Sequence, residues 1–476
     1  MNLYLLAPEI SLCALAVAVI LLDLFVGRKW IVGAVSIAGL IVPAVFSILL
    51  WGSNQTTFGG ALVIDQFSVF FKLLFLAISA LVLLSSTDYS RRFAAFRGEY
   101  YALVLLATTG MMLLASTREL ISIYVALELT GISLYVLAGF LKDSKSSEAG
   151  LKYLLLGAVA SAVLLYGMAL VFGLTGTTHL GEIATAISTG GILESPALLM
   201  GIVLLVAGFG FKIAAVPFQM WVPDVYEGAP TPVTAYLSVA SKAAGFAVVL
   251  RIFYEALGPA SVDWSTVFAV LAAITMTVGN VVAIAQHNIK RMLGYSSIAQ
   301  AGYLMVGLAA VTSTGSSALV FFLGCYALTN LGAFIAIIAI SDKIDSDEIA
   351  DYSGMIRRAP MLALALALCL ISLTGIPPTA GFMAKIYIFS AGVNSGLLWL
   401  VIVAVVNSVI SAVYYLRVVK VIFLGEPVSE ERVSSPRSLQ TALSLACLGV
   451  LLLGIYPWLL LRVAETAASV LPTLVP

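Results

Sequence analysis

Stretches of about twenty apolar residues recur along the whole chain and leave it few possible folds. Of its 476 residues, 61% are hydrophobic and only 10% are charged, whereas a soluble globular chain carries about 25% charged residues. A helix of roughly twenty apolar residues spans the hydrocarbon core of a bilayer. The sequence therefore predicts an all-α polytopic membrane protein. We count about fourteen transmembrane helices, at residues 3–26, 30–51, 66–86, 100–116, 119–140, 151–173, 197–222, 232–256, 264–285, 292–311, 315–340, 361–391, 396–423 and 440–462.

The distribution of basic residues predicts how these helices are oriented. Cytoplasmic loops of membrane proteins are enriched in Lys and Arg. If both termini lie outside, seventeen of the 24 basic residues fall in loops and helix ends on the inner side. Only Arg118, Arg251 and Arg462 fall on the outer side, and the remaining four are lysines inside spans. We therefore expect both termini on the outer side of the membrane.

Prolines interrupt two of the spans. Pro217 falls in the second half of span seven, and Pro377 and Pro378 fall at the centre of span twelve. A proline removes one helical hydrogen bond and blocks another, and freed carbonyls persist in a membrane only where they face protein or a wet cavity. The two broken spans are five spans apart, which indicates two inverted five-helix repeats typical of transporters. The expected units are 1–96 (three helices), 97–258 and 259–424 (the two repeats) and 425–476 (the C-terminal helix).

Four ionisable residues inside the spans suggest a path for protons. Glu128, Lys212 and Lys242 fall near the middle of spans five, seven and eight, and Lys385 follows the break in span twelve by about two turns. A mid-membrane lysine costs roughly 2.5 to 3.5 kcal/mol on insertion scales, so such residues are usually functional. We expect Lys385 to lie nearer the outer surface, as the exit of a relay. Lys72, about one turn into span three, is expected to be an anchor whose ammonium reaches the interface.

Polar residues in spans ten and eleven are candidates to carry water between these lysines. They are Ser296, Ser297, Gln300, Tyr303, Tyr326, Thr329 and Asn330. A purely structural reading of the buried charges stays open, in which Glu128 and Lys212 form a buried ion pair. The prolines could likewise be simple kinks, which membrane helices tolerate.

Cofactor chemistry has little support in the sequence. The four cysteines are far apart and have no metal-ligand spacing, and the two histidines, His179 and His287, fall in loops or at helix ends. Haem ligation across the membrane is therefore not expected, and no glycine-rich nucleotide motif follows a strand pattern. The net charge is zero, which gives no reason to expect nucleic-acid binding.

Four stretches resemble the antiporter-like membrane subunits of respiratory complex I, and subunit N most closely. They are PFQMWVPDVYEGAPTPVTAYLSVASKAAGFAVVLR at 217–251, APEISLCALAVAVILLDLF at 7–25, NVVAIAQHNIKRMLGYSSIAQAGY at 280–303 and GIPPTAGFMAKIYIF at 375–389. The resemblance covers essentially the whole chain in order. It implies a proton-translocating subunit of a bacterial inner-membrane NADH:quinone oxidoreductase, with two inverted five-helix repeats. No long lateral helix follows span fourteen, which argues against the largest subunit of this set.

The resemblance also implies roles for particular residues and partners. The glutamate of span five and the lysines of spans seven, eight and twelve fall on Glu128, Lys212, Lys242 and Lys385. Many relatives have histidine where this chain has Gln300, and glutamine can hydrogen-bond to water but cannot take up a proton. Flavin, iron–sulfur clusters and quinone are expected in other subunits and none in this chain. Expected partners are membrane lipid and the other membrane subunits, including homologous antiporter-like chains.

Other functions remain open at this point. A cation/proton antiporter subunit without redox coupling would share the repeat and the buried charges. An oxidoreductase chain with its own quinone or haem is disfavoured by the lack of transmembrane histidines and clustered cysteines. A passive scaffold would leave the buried lysines without a role.

Overall fold

A computed structural model describes residues 2–93 and 96–472. Residues 1, 94 and 95 of the first expected unit (1–96) and residues 473–476 of the last (425–476) lie outside the described residues. Apart from one hairpin, the regular structure is helical. The strands are β1 (Gln55–Thr57) and β2 (Leu62–Ile64), which pair antiparallel with Gln55 opposite Ile64. The helices are α1 (Ala7–Phe25), α2 (Trp30–Gly39), α3 (Ile41–Leu49), α4 (Gln66–Tyr89), α5 (Arg97–Ser116), α6 (Leu120–Ala138), α7 (Ser144–Thr175), α8 (Leu180–Thr189), α9 (Pro196–Ile213), α10 (Trp221–Gly228), α11 (Thr231–Tyr236), α12 (Lys242–Leu250), α13 (Ser261–Ile284), α14 (Ile289–Ala309), α15 (Ser313–Ile344), α16 (Met355–Arg358), α17 (Pro360–Thr374), α18 (Ala380–Asn394), α19 (Leu398–Leu424), α20 (Arg437–Ile455) and α21 (Trp458–Ala468).

The all-α membrane fold expected from the sequence is confirmed. Within the described residues, twelve helical segments are long and apolar enough to cross a membrane. The expected spans ten and twelve fall on α14 and on the pair α17 and α18, which are not among those twelve. The number fourteen and the inverted repeats therefore stay predictions. Two of the connections between the expected spans contain regular structure: β1 lies between spans two and three, and α8 lies between spans six and seven.

Two segments form the centre of the molecule. The apolar stretch of Thr231–Ala256 is wholly buried and that of Ser313–Ile344 is 94% buried, whereas those of α7 and α20 are only 33% buried. These two segments consequently lie inside a ring of helices whose outward faces expose leucine, valine and isoleucine side chains. Charged side chains on the inner pair are enclosed by protein, so they find their partners there and not among the lipid headgroups.

Both broken spans end their first half at a residue with left-handed backbone. Helix α9 ends before Ala214 (φ 63°), and α17 ends before Gly375 (φ 92°). Pro217 lies between α9 and α10, and Pro377 and Pro378 lie between α17 and α18. At Gly375 a side chain would also meet Lys385, because an added Cβ would lie 2.9 Å from the Lys385 Cδ. Glycine is therefore required there both by its backbone angle and by the close approach of a lysine.

The central span Thr231–Ala256 is α-helical except in two segments, where it becomes a π-helix. A π-helical segment, Leu237–Ser241, immediately precedes Lys242, and a second one, Arg251–Ala256, ends the span. A π-turn widens the helix by one residue and is often found at functional sites. No residue pattern in the sequence had indicated either segment.

A buried ion cluster fixes the far end of this span. The guanidinium of Arg251 is fully buried and donates to Asp65 and Glu255, both at 2.7 Å, and to the carbonyl of Ala115. Arg118 bonds the other oxygen of Glu255 at 2.8 Å. Burial raises the pKa of Asp65, but the charge and hydrogen bonds of Arg251 outweigh it and leave that pKa below its usual value. The cluster joins α4, α5 and the second π-segment.

The expectation that Lys72 reaches the membrane interface is wrong. Its side chain is fully buried, and its Nζ lies 2.7 Å from the Oε1 of Glu9, which is itself 4% exposed. Glu9 lies in the first turn of α1, so that helix brings a carboxylate to α4 at the depth of Lys72. An ammonium with a buried counter-charge has no need to extend to the headgroups.

We expect the Lys72–Glu9 pair to be a structural tie between α1 and α4. Replacing Lys72 with Met leaves Glu9 buried without a counter-charge, which should destabilise the protein by about 3 to 5 kcal/mol. The double variant Glu9→Gln with Lys72→Met should recover most of that loss. Thermal unfolding of the purified complex measures both.

The control is Arg91→Met, because Arg91 pairs with Asp88 on the surface, where its side chain is 75% exposed. An exposed pair contributes little. A Lys72→Met complex as stable as the Arg91→Met complex would contradict the structural role.

Candidate functional site

Lys212 lies in the last turn of α9, directly before the break. It is 8% exposed, and its Nζ lies 3.4 Å from the hydroxyl of Tyr135 on α6. Glu128 on the same helix instead accepts a hydrogen bond from Ser161 at 2.5 Å. Among the described residues, no carboxylate oxygen lies within the 4.0 Å of an ion pair with Lys212. The structural ion pair of Glu128 with Lys212 is therefore not formed in this conformation.

Lys242 opens α12 directly after the first π-segment. It is 3% exposed, and its Nζ donates to both the hydroxyl and the carbonyl of Ser297 on α14. The hydroxyl of Tyr326 donates to the Ser297 hydroxyl oxygen at 3.0 Å, and the hydroxyl of Tyr226 lies 3.3 Å from that same oxygen. The ammonium is thus held by neutral oxygens, with two tyrosines around the serine that contacts it.

Lys385 contacts the broken end of α17. Its Nζ donates to the carbonyls of Leu373 and Thr374, at 3.1 and 2.7 Å, and to the hydroxyl of Ser408 at 2.8 Å. These carbonyls have no helical N–H partner because α17 ends at Thr374. We had expected Lys385 to be displaced towards the outer surface. Its ammonium lies at the break instead, because side chains on a helix point back towards its N-terminus.

Gln300 connects the Lys242 and Lys385 sites. Its Nε2 donates to the carbonyl of Leu373 at 3.2 Å, the same oxygen that accepts from Lys385. Ser297 and Gln300 are three residues apart on α14 and therefore share one face of that helix. On this polar stripe of α14, Ser297 contacts the Lys242 ammonium, and Gln300, one turn later, contacts the Leu373 carbonyl to which Lys385 also donates. Tyr303, one turn further, places its ring 4.8 Å from the Lys385 Nζ.

The other expected water-chain residues lie around this stripe without contacting a lysine. Ser296 bonds the hydroxyl of Tyr415 on α19. Thr329 lies 3.1 Å from the Ser372 hydroxyl, which also accepts from the Gly381 N–H and so connects both halves of span twelve. Asn330 donates to Ser238 at 2.7 Å, one turn before Lys242.

Sequence reasoning missed several polar residues of this site. They are Tyr135, Ser161, Tyr226, Ser238, Asn280, Ser372, Ser408, Tyr414 and Tyr415. Their signal in the sequence is a polar side chain within or beside an apolar span, and five of them (Ser238, Asn280, Ser408, Tyr414 and Tyr415) also lie three or four residues from another polar residue. Within the described ranges, no three His, Cys, Asp or Glu side chains are grouped to hold a metal ion.

Comparison with known proteins gives a consistent family. The model of a family described as NADH:quinone oxidoreductase/Mrp antiporter, transmembrane, matches residues 117–411. NADH-quinone oxidoreductase subunit N of Dehalococcoides mccartyi is 50% identical over 478 residues, covering 98% of this chain and 99% of the relative. The subunit N of Moorella thermoacetica is 46% identical over 476 residues, covering 98% of each.

Solved structures have the same fold. A chain of respiratory complex I from Thermus thermophilus with bound Aureothin superposes with a TM-score of 0.82 at 35% identity, covering 96% of this chain and 99% of that one. A chain of an archaeal membrane-bound sulfane sulfur reductase gives 0.86 at 26% identity, covering 98% and 96%. A chain of the Mrp complex from a Dietzia species gives 0.85 at 22% identity, covering 99% and 98%, a likeness of fold alone.

The resemblance found in the four sequence stretches is confirmed by these matches, which extend along nearly the whole chain. Both broken spans lie within residues 117–411, the region that the family model matches, and so do Glu128, Lys212, Lys242 and Lys385. This chain belongs to the NADH:quinone oxidoreductase and Mrp antiporter membrane family and, within it, is a homologue of subunit N of NADH-quinone oxidoreductase.

Proposed function

We propose that this chain is a proton-translocating membrane subunit of a NADH:quinone oxidoreductase. Quinone reduction in other subunits would drive proton transfer through Glu128, Lys212, Lys242 and Lys385. The observation that carries the proposal is the polar face of α14: Ser297 contacts Lys242, and Gln300, three residues later, donates to the carbonyl that also accepts from Lys385. Redox cofactors would be held by other subunits, and this chain would do no redox chemistry itself.

The partners of the lysines suit a proton carrier better than a fixed charge. Low-dielectric surroundings penalise the charged form of an amine, and a nearby carboxylate offsets that penalty. Lys242 and Lys385 are held by hydroxyl and carbonyl oxygens, which can accept from either an ammonium or an amine. A shift in a neighbouring charge can therefore load or unload these lysines without breaking a buried ion pair.

Glu128 lies where a neighbouring subunit could influence it. It is only partly buried, and Val125 and Ile132, three and four residues away on α6, are 61% and 57% exposed. We infer that another membrane subunit packs against this face and brings charge or water to the carboxylate.

From the distribution of basic residues, we also propose that both termini lie on the outer side of a bacterial inner membrane. The chain would then consist of three N-terminal helices (1–96), two five-helix repeats (97–258 and 259–424) and a C-terminal helix (425–476).

A cation/proton antiporter without redox coupling is the weaker candidate. The full-length relatives at 44 to 50% identity carry the name NADH-quinone oxidoreductase subunit N, whereas the Mrp likeness is one of fold alone.

We expect Lys242→Met to block proton translocation in the assembled complex. The variant keeps the volume of the side chain but can neither hold nor pass a proton. Proton-transfer groups typically contribute roughly 10²- to 10⁴-fold to a rate, so quinone-coupled acidification of inverted membrane vesicles should fall at least about tenfold. Lys343→Met on the exposed end of α15 is the control and should behave as the wild type. Wild-type acidification by Lys242→Met would contradict the proposal.

Gln300 offers a test of the connecting stripe. Gln300→Leu removes the donor to the Leu373 carbonyl. Such a hydrogen bond contributes about 1 kcal/mol, and a barrier raised by that amount slows proton transfer roughly fivefold. Gln300→His restores a donor and should retain the wild-type rate. The same vesicle assay measures both variants, and equal rates for leucine and glutamine would show that the residue takes no part in the path.

A further inference from the structure

Lys290 is a buried lysine that the proposed relay does not use. It lies in the first turn of α14 and its side chain is 5% exposed. Its Nζ donates to the carbonyl of Ala229 at 3.0 Å and lies 3.4 Å from the Oδ2 of Asp347. Ala229 directly follows α10, so Lys290 contacts the carbonyl at the end of the short helix that comes after the first break.

An acidic cavity borders Lys290 on the side of the basic loops. Its volume is about 300 Å³, which is room for several water molecules. Asp345 in its wall is 88% exposed, so the cavity reaches the protein surface. Its acidic lining residues outnumber its basic ones by six to three, and such a wall concentrates cations, protons included. The charged lining residues are Asp143, Glu227, Asp342, Asp345, Asp347, Glu348, Arg92, Lys145 and Lys290.

The same face of α14 runs from Lys290 to the Lys242 site. Ser297 lies seven residues after Lys290, which is two helical turns and about 10 Å. Between them, Gly294 presents no side chain, and Tyr226 and Pro223 lie across from it. The Tyr226 hydroxyl lies 3.3 Å from the Ser297 oxygen that accepts from Lys242. A proton leaving Lys290 therefore has about two turns of α14 to travel, the last part of it along the Tyr226 and Ser297 hydroxyls, before it reaches Lys242.

The ion pair with Asp347 is not needed to hold the loop in place. The N–H of Ile289 donates to the Asp347 carbonyl and the N–H of Ile349 donates to the His287 carbonyl, each at 2.8 Å. These two backbone bonds already fix the 342–348 loop against the start of α14. In addition, the Asp347 Oδ1 is buried and has no hydrogen-bond partner among the described residues, so the carboxylate has an acceptor to spare.

We propose that Lys290 loads protons from the acidic cavity into the relay, an inference that rests on the proposed function. The Lys290 ammonium gives its proton through water and the Tyr226 and Ser297 hydroxyls to the neutral amine of Lys242. Lys242 becomes the ammonium and Lys290 the amine. A proton from the aqueous phase, passed along cavity water beside Asp347, then restores the Lys290 ammonium.

Paired substitutions at Lys290 separate proton transfer from ion pairing. Arginine keeps the positive charge and the pair with Asp347 but does not release its proton in proteins. We therefore expect Lys290→Met and Lys290→Arg to slow quinone-coupled acidification of vesicles by a similar factor, about tenfold or more. Lys343→Met, on the exposed end of α15, should match the wild type. Oxidation of NADH by an artificial acceptor, together with the amount of intact complex, checks assembly.

The possible outcomes distinguish the two proposals. Wild-type acidification by Lys290→Arg would assign Lys290 to ion pairing alone and overturn the inference, even if the methionine variant failed to assemble. Slow acidification by Lys242→Met with wild-type acidification by both Lys290 variants would refute only the entry role. Wild-type acidification by Lys242→Met would refute the proposed function itself.

Discussion

Backbone carbonyls freed where spans are interrupted provide the polar contacts on which this structure depends. A membrane leaves no water to bond an unpaired carbonyl, so each one needs a donor from the protein. Lysine provides three donors on a flexible chain. The carbonyls of Leu373 and Thr374, freed at the second interruption, accept from Lys385. The break in span twelve therefore stabilises a buried ammonium, and that ammonium stabilises the break.

Four of the buried basic residues form two contrasting pairs according to their partners. Arg251 and Lys72 are each bonded to carboxylates within 2.7 Å, and neither contacts the polar stripe of α14. Lys242 and Lys385 are held by hydroxyl and carbonyl oxygens alone. A close carboxylate fixes a charge, since removing the proton would leave the carboxylate unpaired in a medium of low dielectric. Neutral partners permit both protonation states, as the chemistry of a relay demands.

The sequence was sufficient to predict the all-α membrane fold and the segments that are interrupted, and it singled out three lysines (Lys212, Lys242 and Lys385) that the structure buries. Hydrophobic runs and prolines act locally, so they can be read without coordinates. The partner of Lys72 could not be found in this way, because Glu9 is far away in the chain and meets it only when α1 packs on α4. The position of the Lys385 ammonium was also missed, because counting residues locates a Cα and ignores the direction of a long side chain.

Contacts to the main chain were the hardest part of the site to predict. Gln300 and Lys385 converge on the carbonyl of Leu373, an atom that every residue type carries. The π-segment likewise has no residue signature, although it directly precedes the lysine that contacts Ser297. Both features depend on how the helices end and widen, and these are properties of packing.

The central claim is that hydrated protein, and not apolar packing, joins Lys242 to Lys385 along α14. A density map of the assembled complex that resolves ordered water tests it most directly. The account predicts water molecules within hydrogen-bond distance of Ser297, Gln300 and the Lys385 ammonium, forming a connected row between the two lysines. A dry gap filled by apolar side chains between Ser297 and Lys385 would contradict it.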